Sequence, residues 1–170
     1  MRRIPALAAL LGLLLCAAPA TAEPLDPVGD LITRVLSVPG DAVNWLLKAT
    51  LYHAGARGVG SRDALGCRPV AMRTAAVDRT LAPLHSILYI KETVGMPMPD
   101  GTLHDGYWYA SDTGGAIKGQ RIDLYTGNGS GSMRGIMRLN LHTLTVAKVG
   151  EFKGCPVAVT PPETLALASR

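Results

Sequence analysis

Two aspartates eleven positions apart, Asp112 and Asp123, bracket a glycine turn in the run Ser-Asp-Thr-Gly-Gly-Ala-Ile-Lys-Gly-Gln-Arg-Ile-Asp-Leu-Tyr at residues 111–125. Cleaving a glycosidic bond needs one carboxylic acid to protonate the leaving oxygen and a neighbouring negative charge to offset the oxocarbenium-like state, so a converging acid pair suits that chemistry. The spacing predicts a strand ending near 110, a turn at Gly114 and Gly115, and a second strand from Arg121. Strict alternation places Asp123 on the face of Arg121 and Tyr125, opposite Ile122 and Leu124. If the turn folds the second strand back beside the first, both acids reach one substrate.

The elements that must hold these acids read as mainly β. Strands are expected at 70–77, 87–92, 106–110, 120–125 and 143–149, separated by Pro, Gly and Asp, a spacing that suits a closed or nearly closed β structure rather than βαβ units. One helix interrupts them at 133–139, with Ser130 or Ser132 as its cap. Upstream, Leu31, Ile32, Val35 and Leu36 form one helical stripe. After Pro39-Gly40, Asp41 caps a second helix with Val43, Leu46, Leu47 and Leu51 on one side. These two helices pack on the core, or make weak membrane contact through residues 31–51 with Trp45. Glycine and charge dominate 55–66, which sets a boundary between an N-terminal helical extension at 23–57 and the main domain at 58–157. Residues 158–170 form a flexible tail.

Residues 1–22 read as a cleaved export signal: Arg2 and Arg3, an uncharged apolar run over 6–18, then Ala20-Thr21-Ala22. That run is shorter than the roughly 20 residues of a spanning helix. Leu15 is bulky where a lipoprotein signal wants a small residue, so Cys16 is not read as a lipid anchor. The full chain carries a net charge of +4. Export removes two arginines, and the mild remainder argues against nucleic acid as a partner. Two cysteines remain, Cys67 and Cys155, in the similar settings Gly-Cys-Arg-Pro and Gly-Cys-Pro. In an oxidising compartment such a pair is most simply a disulfide, and the protein is expected in the periplasm or cell envelope.

Competing motifs are weaker. Asp-Thr-Gly at 112–114 is the aspartic-protease hallmark, but that chemistry needs two facing copies and this chain has one. Gly127-Asn-Gly-Ser-Gly-Ser resembles a phosphate loop, yet Ser132 stands where the dinucleotide fingerprint has its third glycine, and no Gly-Lys-Ser/Thr follows. His53, His85, His104 and His142 lack ligand spacing, so neither a metal nor a cofactor is expected. His104 and Asp105 read as part of a hairpin loop that overhangs the site.

Ala76-Val-Asp78-Arg79, then Ala82-Pro-Leu and Ile87-Leu-Tyr-Ile, then Asp112-Thr-Gly-Gly-Ala-Ile-Lys-Gly with Arg121-Ile-Asp123, together resemble the three-aspartate (3D) domain. That domain occurs at the C-terminal end of membrane-bound lytic murein transglycosylase A and in small stationary-phase muralytic proteins. The resemblance covers about 58–157. It implies a double-psi β-barrel that cleaves the MurNAc–GlcNAc link of peptidoglycan without water, leaving a 1,6-anhydro sugar. It further implies that Asp123 is the acid/base, with Asp112 and Asp78 flanking it. Thr113, Gly114, Gly115, Lys118 and Tyr125 are the expected substrate-binding residues, with Tyr107, Trp108 and Tyr109 offering further faces for sugar rings.

A single acid suffices for this reaction because the sugar's own C6 hydroxyl is the nucleophile. Two departures stand out: His85 occupies a position where many relatives have glycine, and 92–106 is long enough for a lid over the cleft. Transglycosylase A carries a second domain as the other wall of its groove, and residues 23–57 are too few to replace it. The alternative is therefore a non-catalytic glycan-binding module of expansin-like shape.

Overall fold

The computed structural model describes residues 44–158. Six strands are present: β1 (Asn44–Ala54), β2 (Thr74–Val77), β3 (Ser86–Ile90), β4 (Tyr107–Asp112), β5 (Arg121–Asn128) and β6 (Thr143–Glu151). The sheet closes on itself into a ring in the order β1-β5-β2-β4-β3-β6. β1–β5 and β2–β4 are parallel, and the other four pairings are antiparallel. The expected mainly β class and all five strand positions hold.

The second expected helix does not form, because residues 44–51 are strand. Leu47 and Ala49 are buried in the core, with Trp45 and Leu51 packed against it, whereas Leu46 and Lys48 are exposed. This is a period of two, and Leu46, a member of the expected helical stripe, lies on the exposed face of the strand. β1 pairs with both β5 and β6, so it closes the ring, and the expected boundary at 57/58 cuts the fold rather than bounding it. The export signal, the helix expected at 31–36 and all but the first residue of the tail lie outside the described residues.

The interior is filled by Trp108, Leu88, Ile90, Ile122, Leu124, Leu144 and Val146, all essentially inaccessible. The expected interrupting helix is a 3-10 helix, Ser130–Leu139, that buries Ile136 and Leu139. No serine caps it. Its entry residue is Gly129 at φ 68°, and the Ser132 hydroxyl bonds the Gly129 carbonyl and the Thr126 hydroxyl.

His85 sits at φ 69°, the left-handed region that glycine occupies without cost, and its ring packs on Phe152. The segment 91–106 does not overhang the site. Its His104 is buried, donates from Nε2 to the Met72 carbonyl at 2.7 Å, accepts at Nδ1 from the Gly106 amide at 2.8 Å, and stacks on Trp108. Asp105 pairs with Arg73, which also donates to the Tyr107 carbonyl. All of this is at the Tyr107 end of β4. Asp112 is five residues further on, roughly 17 Å away along the strand.

Candidate functional site

β4 and β5 do not form the hairpin that the glycine turn suggests. β2 lies between them, and its Ala76 pairs with Asp123 on one side and Asp112 on the other. The Asp112 pairing depends on a one-residue register shift between Ala75 and Ala76: Ala75 faces Ala110, Ser111 is passed over, and Ala76 faces Asp112. Such a bulge re-aims the residues beyond it, here turning Asp112 onto the face of Asp123. Strands about 4.8 Å apart put the two aspartate Cα atoms roughly 10 Å from each other. Between them stands only a methyl group.

β1 completes this row. Its Thr50 is the register partner of Asp123, and the Thr50 hydroxyl bonds the carboxyl group. Two residues on, the Tyr52 hydroxyl donates to Asp112 Oδ2 at 2.7 Å. Asp112 Oδ1 accepts from the Thr113 amide at 2.8 Å and the Ala64 amide at 3.1 Å. Asp112 is thus an acceptor to three donors. Burial first, and then the charge of Asp112, push the Tyr52 hydroxyl far above its ordinary pKa, which keeps it a donor.

Asp123 is placed differently. It is half-buried, and its Oδ1 is inaccessible and has no hydrogen-bond partner. Burial raises its pKa above the ordinary carboxylate value, the Thr50 hydrogen bond opposes that rise, and the Asp112 charge adds to it. Among the described residues no cation pairs with it. A carboxyl group of raised proton affinity beside an acid that accepts from three donors has the asymmetry of an acid and its electrostatic partner.

A third acid shares their cavity, and it is Asp63 rather than Asp78. The cavity, about 320 Å³, is bounded by Tyr52, Asp63, Ala76, Asp112, Thr113 and Asp123 among others. Asp63 is 7% exposed; its Oδ1 accepts from the amides of Leu65 and Cys67, and its Oδ2 has no partner. The loop it organises is fastened by the Cys67–Cys155 disulfide, with Cα atoms 5.6 Å apart, as the cysteine count predicts.

Asp78 lies in an adjoining cavity of about 260 Å³ with Arg79, Gly115 and Lys118. Both its oxygens are engaged, Oδ2 by the Gly119 amide at 2.7 Å and Oδ1 by the amide and hydroxyl of Thr80. Those bonds hold its pKa at about 2, the Gly119 amide contributing most. Asp78 therefore fixes the glycine turn to the end of β2, and it borders the smaller cavity while Asp112 and Asp123 border the larger. Thr113 and Gly114 border both cavities; Gly115 and Lys118 border only the smaller one.

Tyr125 is 6% exposed with its ring against Tyr52, and Trp108 and Tyr109 are buried, so none of the three offers an open face to a sugar ring. Thr50, Tyr52 and Asp63 are absent from the sequence-derived set. Their signals were the Thr-x-Tyr alternation once β1 is read as a strand, and an aspartate two and four residues before the amides it caps.

Residues 73–147 match the family described as the 3D domain. No curated protein matches the chain. Among solved structures, it is similar to E. coli MltA with bound chitohexaose at 25% identity, over 54% of this chain and 28% of that one, with a TM-score of 0.39. It is similar to the lytic transglycosylase LtgG of Burkholderia pseudomallei at 25% identity, over 53% and 26%, with a TM-score of 0.37. For MltA from Neisseria gonorrhoeae the figures are 24%, 58%, 24% and 0.38. The chain spans about a quarter of the length of these proteins. The stretch that matches the 3D domain, 73–147, runs from the last residue before β2 into β6 and carries Asp78, Asp112 and Asp123.

Proposed function

We propose that this protein is a lytic transglycosylase that cleaves the MurNAc–GlcNAc bond of peptidoglycan, with Asp123 as its acid/base. The observation that carries this reading is Asp123 itself: a half-buried carboxyl group with raised proton affinity that borders the larger cavity, one small residue away from an acid held by three donors. Protonated Asp123 gives its hydrogen to the glycosidic oxygen as the C1–O bond breaks. The resulting carboxylate takes the proton of the C6 hydroxyl as that oxygen bonds C1, which closes the 1,6-anhydro ring and restores the acid. Asp112 offsets the positive charge developing at C1, and Tyr52 holds Asp112 in place.

The 3D match and the sequence resemblance support peptidoglycan as the substrate. The two parallel strand pairs in a closed six-stranded ring support the double-psi form of the barrel. The disulfide supports an exported protein of the cell envelope, with residues 1–22 as its signal.

The test is incubation of the purified protein with peptidoglycan and a mass search of the soluble fraction for anhydro-muropeptides. Wild type releases them, and Asp123→Asn does not while still pelleting with the glycan. Pelleting of wild type without product would make the chain a glycan-binding module.

A further inference from the structure

The two adjoining cavities carry opposite charge. The larger is walled by Asp63, Asp112 and Asp123, with Arg62 as its cation, and the Arg62 guanidinium is turned to the Gly66 carbonyl at 2.7 Å. The smaller has Arg79 and Lys118 against a single acid, Asp78. Both cations are exposed, and among the described residues neither forms an ion pair. Asp78 is the one negative charge there and acts on Lys118 without an ion-pair contact; its own oxygens accept from Thr80 and Gly119, so the two cations outnumber it by one.

The backbone between the cavities is also open. Among the described residues the amides of Gly114 and Gly115 make no hydrogen bond, although both residues border the smaller cavity. A Cβ at Gly115 would meet nothing within 4 Å, whereas one at Gly114 would lie 2.8 Å from Ile117, so the chain there packs down on Ile117 as only glycine allows. Two cations without an ion-pair contact, against one acid and beside unbonded backbone amides, make a concavity suited to an anion.

Resting on the proposed glycan substrate, we infer that the smaller cavity is a subsite for a carboxylate carried by the sugar next to the scissile bond. The ring occupies the acidic cavity, and its substituent passes over Thr113 and Gly114 to Arg79 and Lys118. The muramyl residue has two candidate carboxylates. Its lactyl ether ends in a free acid when no peptide is attached; once the stem is attached that acid becomes an amide, and the charge moves to the stem's own carboxylates.

The experiment is calorimetric binding to the full-chain Asp123→Asn protein, which does not turn its ligand over. Three tetrasaccharides are compared: uncharged chitotetraose, peptide-free GlcNAc–MurNAc with the lactyl acid, and the same oligomer with stem peptides. At least one charged oligomer binds about tenfold more tightly than chitotetraose at low salt, as expected for two exposed ion pairs with amide support. Salt at 0.5 M erodes the preference. Adding Arg79→Gln and Lys118→Gln brings the ratio to about one. The oligomer that carries the preference identifies which carboxylate is read. Equal binding of all three, or a preference that survives the double substitution, overturns the subsite alone. If no oligomer binds, the glycan reading falls and the subsite with it.

Discussion

The Cys67–Cys155 bridge should govern both the stability of the ring and the integrity of the acidic cavity. It spans 88 positions, and closing a loop of that length in the unfolded chain is worth about 4.6 kcal/mol of entropy at 25 °C. A domain of this size has of order 5–15 kcal/mol in total, so the bridge is a large share of it. Its folded-state contacts point at the site: the Cys67 amide donates to Asp63 Oδ1, the Asp63 amide donates to the Cys67 carbonyl, and the adjacent Ala64 amide donates to Asp112.

The perturbation is the double variant Cys67→Ala and Cys155→Ala, which leaves no buried unpaired hydroxyl. Urea unfolding should show a loss of roughly 2–4.6 kcal/mol. Product release from peptidoglycan should fall further than the folded fraction accounts for, because the 63–67 loop no longer holds Asp63 and Ala64 against the acids. Wild type treated with a thiol reductant should behave in the same way. A loss below about 1 kcal/mol, or two free thiols in the mass of the unreduced protein, would refute the reasoning.

Tyr52→Phe keeps the ring contact with Tyr125 but takes the donor from Asp112 Oδ2, costing roughly 1.5–3 kcal/mol of stability by urea midpoint. An unchanged midpoint would mean that the hydroxyl does not hold the carboxylate. Stability should also fall between pH 6.5 and 4, because burial and then the Arg73 charge hold His104 down at about 4 while the unfolded chain takes up its proton from 6.5. The whole decline is about 3 kcal/mol, with no His104 contribution to the slope above pH 6.5. Urea midpoints measured at pH 7.5, 5.5 and 4.5 would contradict this if flat, and His104→Asn should remove the slope.

The alternation of Arg121, Asp123 and Tyr125 against Ile122 and Leu124 was legible in the sequence, and it holds because one face of β5 is the barrel core. So was the disulfide, since Cys67 and Cys155 are the two cysteines outside the expected export signal and a pair has one simple pairing. β1 was misread because Leu47 and Leu51 fit a strand face as well as a helical stripe, and Leu46 adds to the helical one alone. Only pairing with β5 and β6 decides between them, and Leu46, left 62% exposed, is the residue that misleads.

By itself the sequence determined which residue types could do acid catalysis, the β texture that carries them, and the covalent bridge, because these follow from local alternation and from composition. The tertiary structure alone decided which acids meet. Placing β2 between β4 and β5, with a bulge at Ser111, brings Asp112 and Asp123 together across Ala76. It also brings Asp63 in and leaves Asp78 to fix a turn. Strand order and register are set by closing the whole ring around one core, and no window of sequence contains that information.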